Sequence, residues 1–416
     1  MTDAPGAWAR GRASVVGVGQ TPLSKAAPDS VLELALDACL EALADAGISA
    51  SEVDGLLRFG APFETVSHGE LVANLGIRDL GYFGEIPLGG EASAGMLHHA
   101  VGALVSGRAS VVLAYRAIKQ SGGNRFGRAD QALHGGPPAD EDVRVGGGAA
   151  FTWPYWMMAP AHLFALWASR YLDEADITEA QFRHAVGRVA MDQREYASHR
   201  PGALLHDRPL DAEQFDAARM ISWPLTLFML CLENDGACAV VVTTTERATS
   251  LGAGAVPILA TCQSMAPRRE PGSMYGDDLL EIVPPSRVER LWAEAGVGPH
   301  DVSVAELYDA SSLMTLLSLE QYGFVGHRKA WQHVTEHGIG LDSPLPVNTH
   351  GGHLADGYVH GMTGVIEAVR QVRGTATNQV PGASVSFFGG VSGSATVFAN
   401  PEITARVTEE LSRPWK

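Results

Sequence analysis

Apolar residues along this chain keep two rhythms. Val31, Leu32, Ala35, Ala38, Cys39, Ala42, Leu43 and Ala46 recur three and four residues apart and share one helical face. Val288, Leu291, Trp292 and Ala295 repeat that rhythm, and Gly95–Gly107 and Met362–Val372 read as further helices. Ala109–Tyr115 is instead a short apolar run, the pattern of a strand covered on both faces, and Ala383–Phe388 holds the matching place later in the chain. Between them, Ala161–Leu172 predicts an amphipathic helix. Another starts near Thr178, whose hydroxyl and following acidic residue suit a helix N-terminus.

The pattern occurs twice. Ala46–Phe59 aligns with Ala295–Tyr308 at a constant offset of 249 (295 − 46 and 308 − 59). In each copy a helix ends at Ala-Gly, a short loop follows, and a strand begins at Val. Strands alternating with helices predict an α/β protein with mostly parallel, buried sheets. The expected division is residues 1–250, with a large excursion at about 118–222, and residues 251–416.

The chain has 416 residues, 46% apolar and 19% charged, enough for two core-forming domains or one fused domain. No run approaches the roughly 18 apolar residues of a membrane span. The start, Met1-Thr-Asp-Ala-Pro-Gly, lacks the basic and apolar segments of a secretory signal, so a cytoplasmic protein is expected. A net charge of −17 argues against a nucleic-acid partner but leaves room for an anionic ligand at a local basic patch. Cys39, Cys231, Cys238 and Cys262 have neither disulfide nor zinc-ligand spacing and are expected as buried thiols.

The chemistry concentrates near the end. Asn348-Thr-His-Gly-Gly-His-Leu-Ala-Asp-Gly-Tyr-Val-His-Gly-Met-Thr-Gly364 resembles the C-terminal signature of the thiolase superfamily, Asn-x-x-Gly-Gly … Gly-His-Pro-x-Gly-x-x-Gly. Pro224–Val242 resembles another family segment. Glu306-Leu-Tyr-Asp-Ala-Ser-Ser312 resembles the His-Asp-Cys-Phe region of sterol-carrier-protein-type thiolases. Gly89–Gly95 and Ser386–Gly393 stand at the two cysteine motifs. The resemblance covers nearly the whole chain and implies a thiolase fold: duplicated βαβ halves in a five-layer αβαβα sandwich, a homodimer through the first-half sheet, and no cofactor or metal.

The departures matter more than the matches. Ala92 stands at the nucleophilic cysteine, Phe387 at the second cysteine, Tyr308 at one catalytic His and Tyr358 at the other. Acyl transfer through a thioester needs a thiolate, so that chemistry is not expected. Two phenols without a nucleophile suit proton transfer around a reversible C–C bond. A free phenol ionises near pH 10, so a base role requires help from neighbours, with His350, His353 and His360 in reach and Asp309 working against it. Tyr308 is expected as the base. Tyr358 is expected to protonate an enolate or hold its oxygen. Gly351, Gly352, Gly389 and Gly390 are expected to let a thioester approach the backbone, and Arg268, Arg269 and Arg287 to meet CoA phosphates or simply solvent.

The pattern Glu-Leu-Tyr-Asp with Gly-Gly-His-Leu-x-x-Gly-Tyr-Val-His-Gly is similar to actinobacterial lipid-transfer-protein-like aldolases of steroid side-chain degradation. That resemblance implies retro-aldol cleavage of a 17-hydroxy steroid C22-CoA thioester to a 17-ketosteroid and propionyl-CoA. It also implies an OB-fold or zinc-ribbon partner giving a heterotetramer, with a hydratase attached. The acidic, Gly-rich stretch Ala129–Gly148 departs from it. Rival readings stand beside this one: a non-catalytic acyl-CoA-binding or scaffolding subunit, or a thiolase with a shifted cysteine. For single residues, the plainer roles are a packed Tyr308 or Tyr358, loop hydrogen bonds rather than a metal cluster for His350, His353 and His360, a helix cap for Asp309, Glu91 or Ser93, and core or dimer packing for Phe151–Trp156.

Overall fold

Each half of the chain lays down the same strand order. The computed structural model describes residues 6–60, 66–86, 92–122, 153–157, 159–252, 254–265, 280–391 and 393–412. Its main strands are β1 (Ala13–Gln20), β2 (Gly55–Phe59), β3 (Tyr82–Ile86), β4 (Val111–Lys119) and β5 (Asp235–Thr244), then β6 (Val256–Gln263), β7 (Val304–Leu307), β8 (Val385–Gly389) and β9 (Ser394–Ala399). They form one nine-stranded sheet in the order β3-β2-β4-β5-β1-β6-β9-β8-β7. Outward from the β1–β6 seam, each half places its first strand, its last, then the one before, then its second. The third strand of the second half is reduced to a parallel bridge between Ala305 and Val347. The seam itself is three antiparallel pairs, Ala13 with Ile258, Ser14 with Pro257 and Val15 with Val256.

The repeat read from the sequence is the repeat in space. Helix α1 (Val31–Ala46) starts at Ser30, whose hydroxyl accepts from the Glu33 N–H while Glu33 accepts from the Ser30 N–H. It ends at Gly47, left-handed at φ 64°. In the second half, helix Pro285–Ala295 ends at Gly296, φ 71°. Both halves then take a single 3-10 turn, Ala50–Glu52 or Pro299–Asp301, into β2 or β7.

Three helix layers clothe the strands. With α2 (Ala92–Val105), α3 (Glu179–His199), α4 (Pro285–Ala295) and α5 (Met362–Arg373), the arrangement is α1 outside the first half and α4 outside the second. Helices α2 and α5 each touch strands of both halves and form the shared central layer. This is the duplicated five-layer sandwich expected. Phe182, Val186 and Val189 bury α3 against the same core.

Two expectations need correction. The sheet is mixed rather than mostly parallel: β2 runs parallel to β3 and β4, and β7 to β8, but β5 and β9 run antiparallel to their neighbours. Apolar runs report burial on both faces, not direction. The link from Gly389 to Ser394 is far too short for a parallel crossover. Of the Phe151–Trp156 segment, expected as core or dimer packing, Tyr155 and Trp156 are 76% and 70% exposed and so are not core of this chain, which leaves dimer packing open. Phe151 and Thr152 lie outside the described residues, as do Ala129–Gly148. Among the described residues no helix is long and apolar enough to cross a membrane.

Candidate active site

The site grows from one strand end and one loop. Tyr308 is the first residue beyond β7, and its N–H donates to the Gly389 carbonyl at 2.9 Å, tying it to the end of β8. The loop from Asn348 to Gly361 is pinned beside it. The Asn348 N–H donates to Ala305 O (3.0 Å), and Asn348 Oδ1 accepts from the Leu307 N–H (2.6 Å). Asn348 holds φ 54°, a left-handed conformation that Asn tolerates better than most residues. Farther along, Asn234 clamps both backbone groups of Tyr358, accepting from its N–H at 2.6 Å and donating to its carbonyl at 3.3 Å. These anchors bring the Tyr308 and Tyr358 hydroxyls to 3.0 Å, a direct hydrogen bond in a pocket where the residues are 5% and 7% exposed.

Two histidines border the pair and a third adjoins one of them, each committed differently. The His353 ring lies 4.9 Å from the Tyr308 ring and 5.3 Å from the Tyr358 ring. Its Nδ1 meets Asp309 Oδ1 at 2.5 Å. Asp309 does not cap the following helix, whose N-cap is Ser311 with no side-chain bond. His360 stacks against Tyr358 (4.6 Å) and Phe59 (4.3 Å), and its Nδ1 accepts from Arg116 Nε–H at 3.1 Å. Burial, reinforced by the Arg116 charge, holds the His360 pKa well below its ordinary value. The His350 ring lies 6.5 Å from that of His353, its Nδ1 2.8 Å from Glu306 Oε2. Burial disfavours its charge, but the Glu306 carboxylate outweighs burial and raises the His350 pKa. Burial likewise raises the Glu306 pKa, a shift only partly offset by the His350 hydrogen bond.

The thiolate positions are empty of sulfur. Ala92 opens α2 and is buried. Phe387 is packed among Trp292, Tyr322 and Phe324. The four cysteines are free. Burial raises each thiol, Cys231 to about 12, so none is a ready nucleophile.

The glycines serve packing more than approach. A Cβ on Gly351 would lie 2.6 Å from Ala197 Cβ, on Gly352 2.3 Å from Asp309 Oδ2, and on Gly389 2.6 Å from Phe387 Cζ. The space a Cβ would fill at Gly351, Gly352 and Gly389 is therefore occupied by the protein. Gly390 is buried and its N–H donates to Ser394 O at 3.3 Å. Arg287 is exposed on α4. Arg268, Arg269 and Glu91 lie outside the described residues, and Ser93 Oγ is buried without a hydrogen-bond partner among those described.

Sequence reading missed Arg116, Phe59, Asn234 and Gln193 as parts of the site. Only Phe59 carried a signal, as the repeat partner of Tyr308. Strand β4 runs four residues past its expected end at Tyr115, and those residues carry Arg116.

The doubled strand order, the shared helix layer and the loop of thiolase type define a thiolase-fold protein with a phenol pair in place of its catalytic histidines and no sulfur at the thiolate positions. Residues 285–399 match the family model described as thiolase C-terminal domain-like. The chain is 37% identical to the 17-hydroxy-3-oxo-4-pregnene-20-carboxyl-CoA lyase of Mycobacterium tuberculosis, over 89% of this chain and 94% of that protein. It is 36% identical to the steroid side-chain-cleaving aldolase of Thermomonospora curvata, over 89% and 92%. A solved structure described as Ltp2-ChsH2(DUF35) aldolase superposes with TM-score 0.83 at 34% identity, covering 94% of this chain and 98% of that one. The chain belongs to the thiolase-like steroid side-chain-cleaving aldolases, a family of carbon–carbon lyases.

Proposed function

We propose that this chain cleaves a 17-hydroxy steroid C22-CoA thioester by retro-aldol chemistry, giving a 17-ketosteroid and propionyl-CoA. The observation that carries the reading is the 3.0 Å hydrogen bond between the Tyr308 and Tyr358 hydroxyls where a thiolase keeps acid/base histidines. In the proposed cycle Tyr308, as phenolate, takes the proton of the C17 hydroxyl. The C17–C20 bond breaks, C17 becomes the ketone, and the electron pair enters the thioester enolate. Tyr358 protonates C20. The proton now on Tyr308 then crosses the hydrogen bond to Tyr358 and restores the pair. The thioester is itself the electron sink, so the reaction as written requires no redox cofactor or metal.

The partners belong to the same proposal. β3 ends the sheet, and its Phe83 is 65% exposed, which suits strand pairing in a homodimer. The name of the similar solved structure joins two proteins. We expect an OB-fold partner on each protomer of a heterotetramer, with a hydratase attached. The test is incubation of the co-expressed complex with the 17-hydroxy C22-CoA thioester, read by mass spectrometry. Propionyl-CoA with equimolar 17-ketosteroid supports the proposal, and unchanged substrate under conditions where it binds sinks it.

A further inference from the structure

We infer that Asp309 and His353 form a positioning unit that holds the two phenols in register, and that Asp309 acts through His353 rather than by exchanging protons with substrate. The inference rests on the tyrosine-pair reading above and names what aligns that pair.

The hydrogen bonds assign the tautomer. The Gly361 N–H donates to His353 Nε2 at 3.1 Å, and a backbone N–H can only donate, so Nε2 is the unprotonated nitrogen. The Asp309 N–H also approaches Nδ1, but at 3.4 Å, whereas Asp309 Oδ1 lies 2.5 Å from that nitrogen and a carboxylate oxygen so close needs a donor; the ring proton is therefore on Nδ1, directed at Oδ1. The same oxygen accepts the His353 N–H at 2.9 Å. Both ring nitrogens are thus taken, and neither remains to meet a substrate. What the ring offers is contact with both tyrosines at once, its centroid 4.9 Å from one and 5.3 Å from the other, while the two phenol rings lie 6.3 Å apart. A ring fixed at both nitrogens is a rigid wedge set against two phenols whose oxygens must stay in hydrogen-bond contact.

The surroundings of Asp309 fit this role. It is fully buried. Oδ2 has no hydrogen-bond partner among the described residues, nor do Gln193 Oε1 and Nε2. Gly352 separates them: a Cβ there would lie 2.3 Å from Oδ2 and 2.8 Å from Gln193 Nε2. An amide in place of the carboxylate keeps Oδ1 for both His353 donors and turns its NH2 toward Gln193 and Gly352, so the wedge survives without the charge.

The test compares D309N with D309A in the co-expressed complex. D309A should lower kcat about 10²-fold with KM for the CoA thioester unchanged, the cost of a misplaced reacting group. D309N should recover all but about 10-fold of it. If D309N, folded by circular dichroism, falls as far as D309A, Asp309 is a charge or proton-transfer group and the inference fails. Parent turnover in D309A also overturns it. Should D309A not fold, His353→Phe takes its place: it keeps a ring but cannot bond Asp309 or Gly361, so about a 10²-fold loss of kcat is expected and parent turnover refutes the wedge. Y308F and Y358F, run in the same assay, separate the two claims. If they keep activity, the reaction mechanism is wrong. If they lose it while D309A does not, only the positioning role is wrong.

Discussion

Phe59 and Tyr308 occupy the same place in the two halves of the fold, 249 residues apart (308 − 59), and both face the same loop. Phe59 stacks on His360 at 4.3 Å, and Tyr308 meets Tyr358 at 3.0 Å. The loop from Asn348 to Gly361 thus lies between equivalent strand ends. One half supplies an apolar face and the other a titratable one. Duplication built the cleft, and divergence at one repeat position divided its labour.

The phenol pair sets the first prediction. Tyr308→Phe and Tyr358→Phe each delete one hydroxyl and barely change volume. Each should lower kcat by about 10²–10⁴-fold while the fold and thioester binding persist. Because the hydroxyls bond each other, the double variant should cost little more than either single one. Steady-state kinetics with the three variants decides it. Additive losses would mean that the two groups work independently.

Much of this site was legible before the fold was known, its residues through the thiolase resemblance and its frame through local pattern. Tyr308 and Tyr358 stand at the two catalytic-His positions of motifs that resemble those of thiolases, and that resemblance implies that they share one site. The helices that frame them announce themselves by apolar spacing and by stops at Gly47 and Gly296. Arg116 was not legible, because nothing in Tyr115-Arg-Ala-Ile-Lys119 tells where a buried strand stops. His353 was visible as a residue but not as a wedge. Its role depends on which nitrogen carries the proton, and only the Gly361 N–H and the Asp309 carboxylate reveal that. Strand direction was hidden too, since burial on both faces looks alike in parallel and antiparallel strands.

The loss of sulfur chemistry makes the second prediction. Acetoacetyl-CoA should be neither cleaved by CoA nor formed from acetyl-CoA. With Ala92 and Phe387 at the thiol positions and the remaining thiols raised by burial, no acyl-enzyme should form. Intact-mass spectrometry after incubation with acyl-CoA reads this directly, and an added acyl mass on any cysteine would contradict it.

Gly352 makes the third. It holds φ 61°, and the space a Cβ would fill belongs to Asp309 Oδ2 at 2.3 Å. Gly352→Ala should destabilise the fold by about 1–3 kcal/mol from the backbone conformation alone, with more from the displaced carboxylate. It should also lower kcat through His353. Chemical denaturation beside steady-state kinetics measures both. Parent stability and turnover would show that the loop yields easily.

His360 makes the last, and here the sign can be worked out. Its Nδ1 accepts from Arg116 Nε–H, so a second ring proton would have to displace that bond and face a permanent positive charge. The folded pKa lies well below the ordinary value because of burial first, then Arg116 and His353. In the unfolded chain the same imidazole takes a proton near pH 6.5. Below that pH the unfolded state binds a proton that the native state refuses. The stability tied to His360 is therefore present above about pH 6.5 and is lost as the pH falls toward the folded pKa, at up to about 1.4 kcal/mol per pH unit. His350 has a raised pKa, so its own contribution is present below about pH 6.5 and is lost as the pH rises through its folded value. Because His350 remains in both proteins compared, it cancels. The comparison is with His360→Asn, which keeps an acceptor for Arg116, tolerates φ 47° and has no proton to gain. Urea unfolding at pH 7.5 and pH 5.0 should show a smaller drop for the variant than for the parent. Equal drops would mean that His360 takes up its proton in the fold as readily as in the open chain.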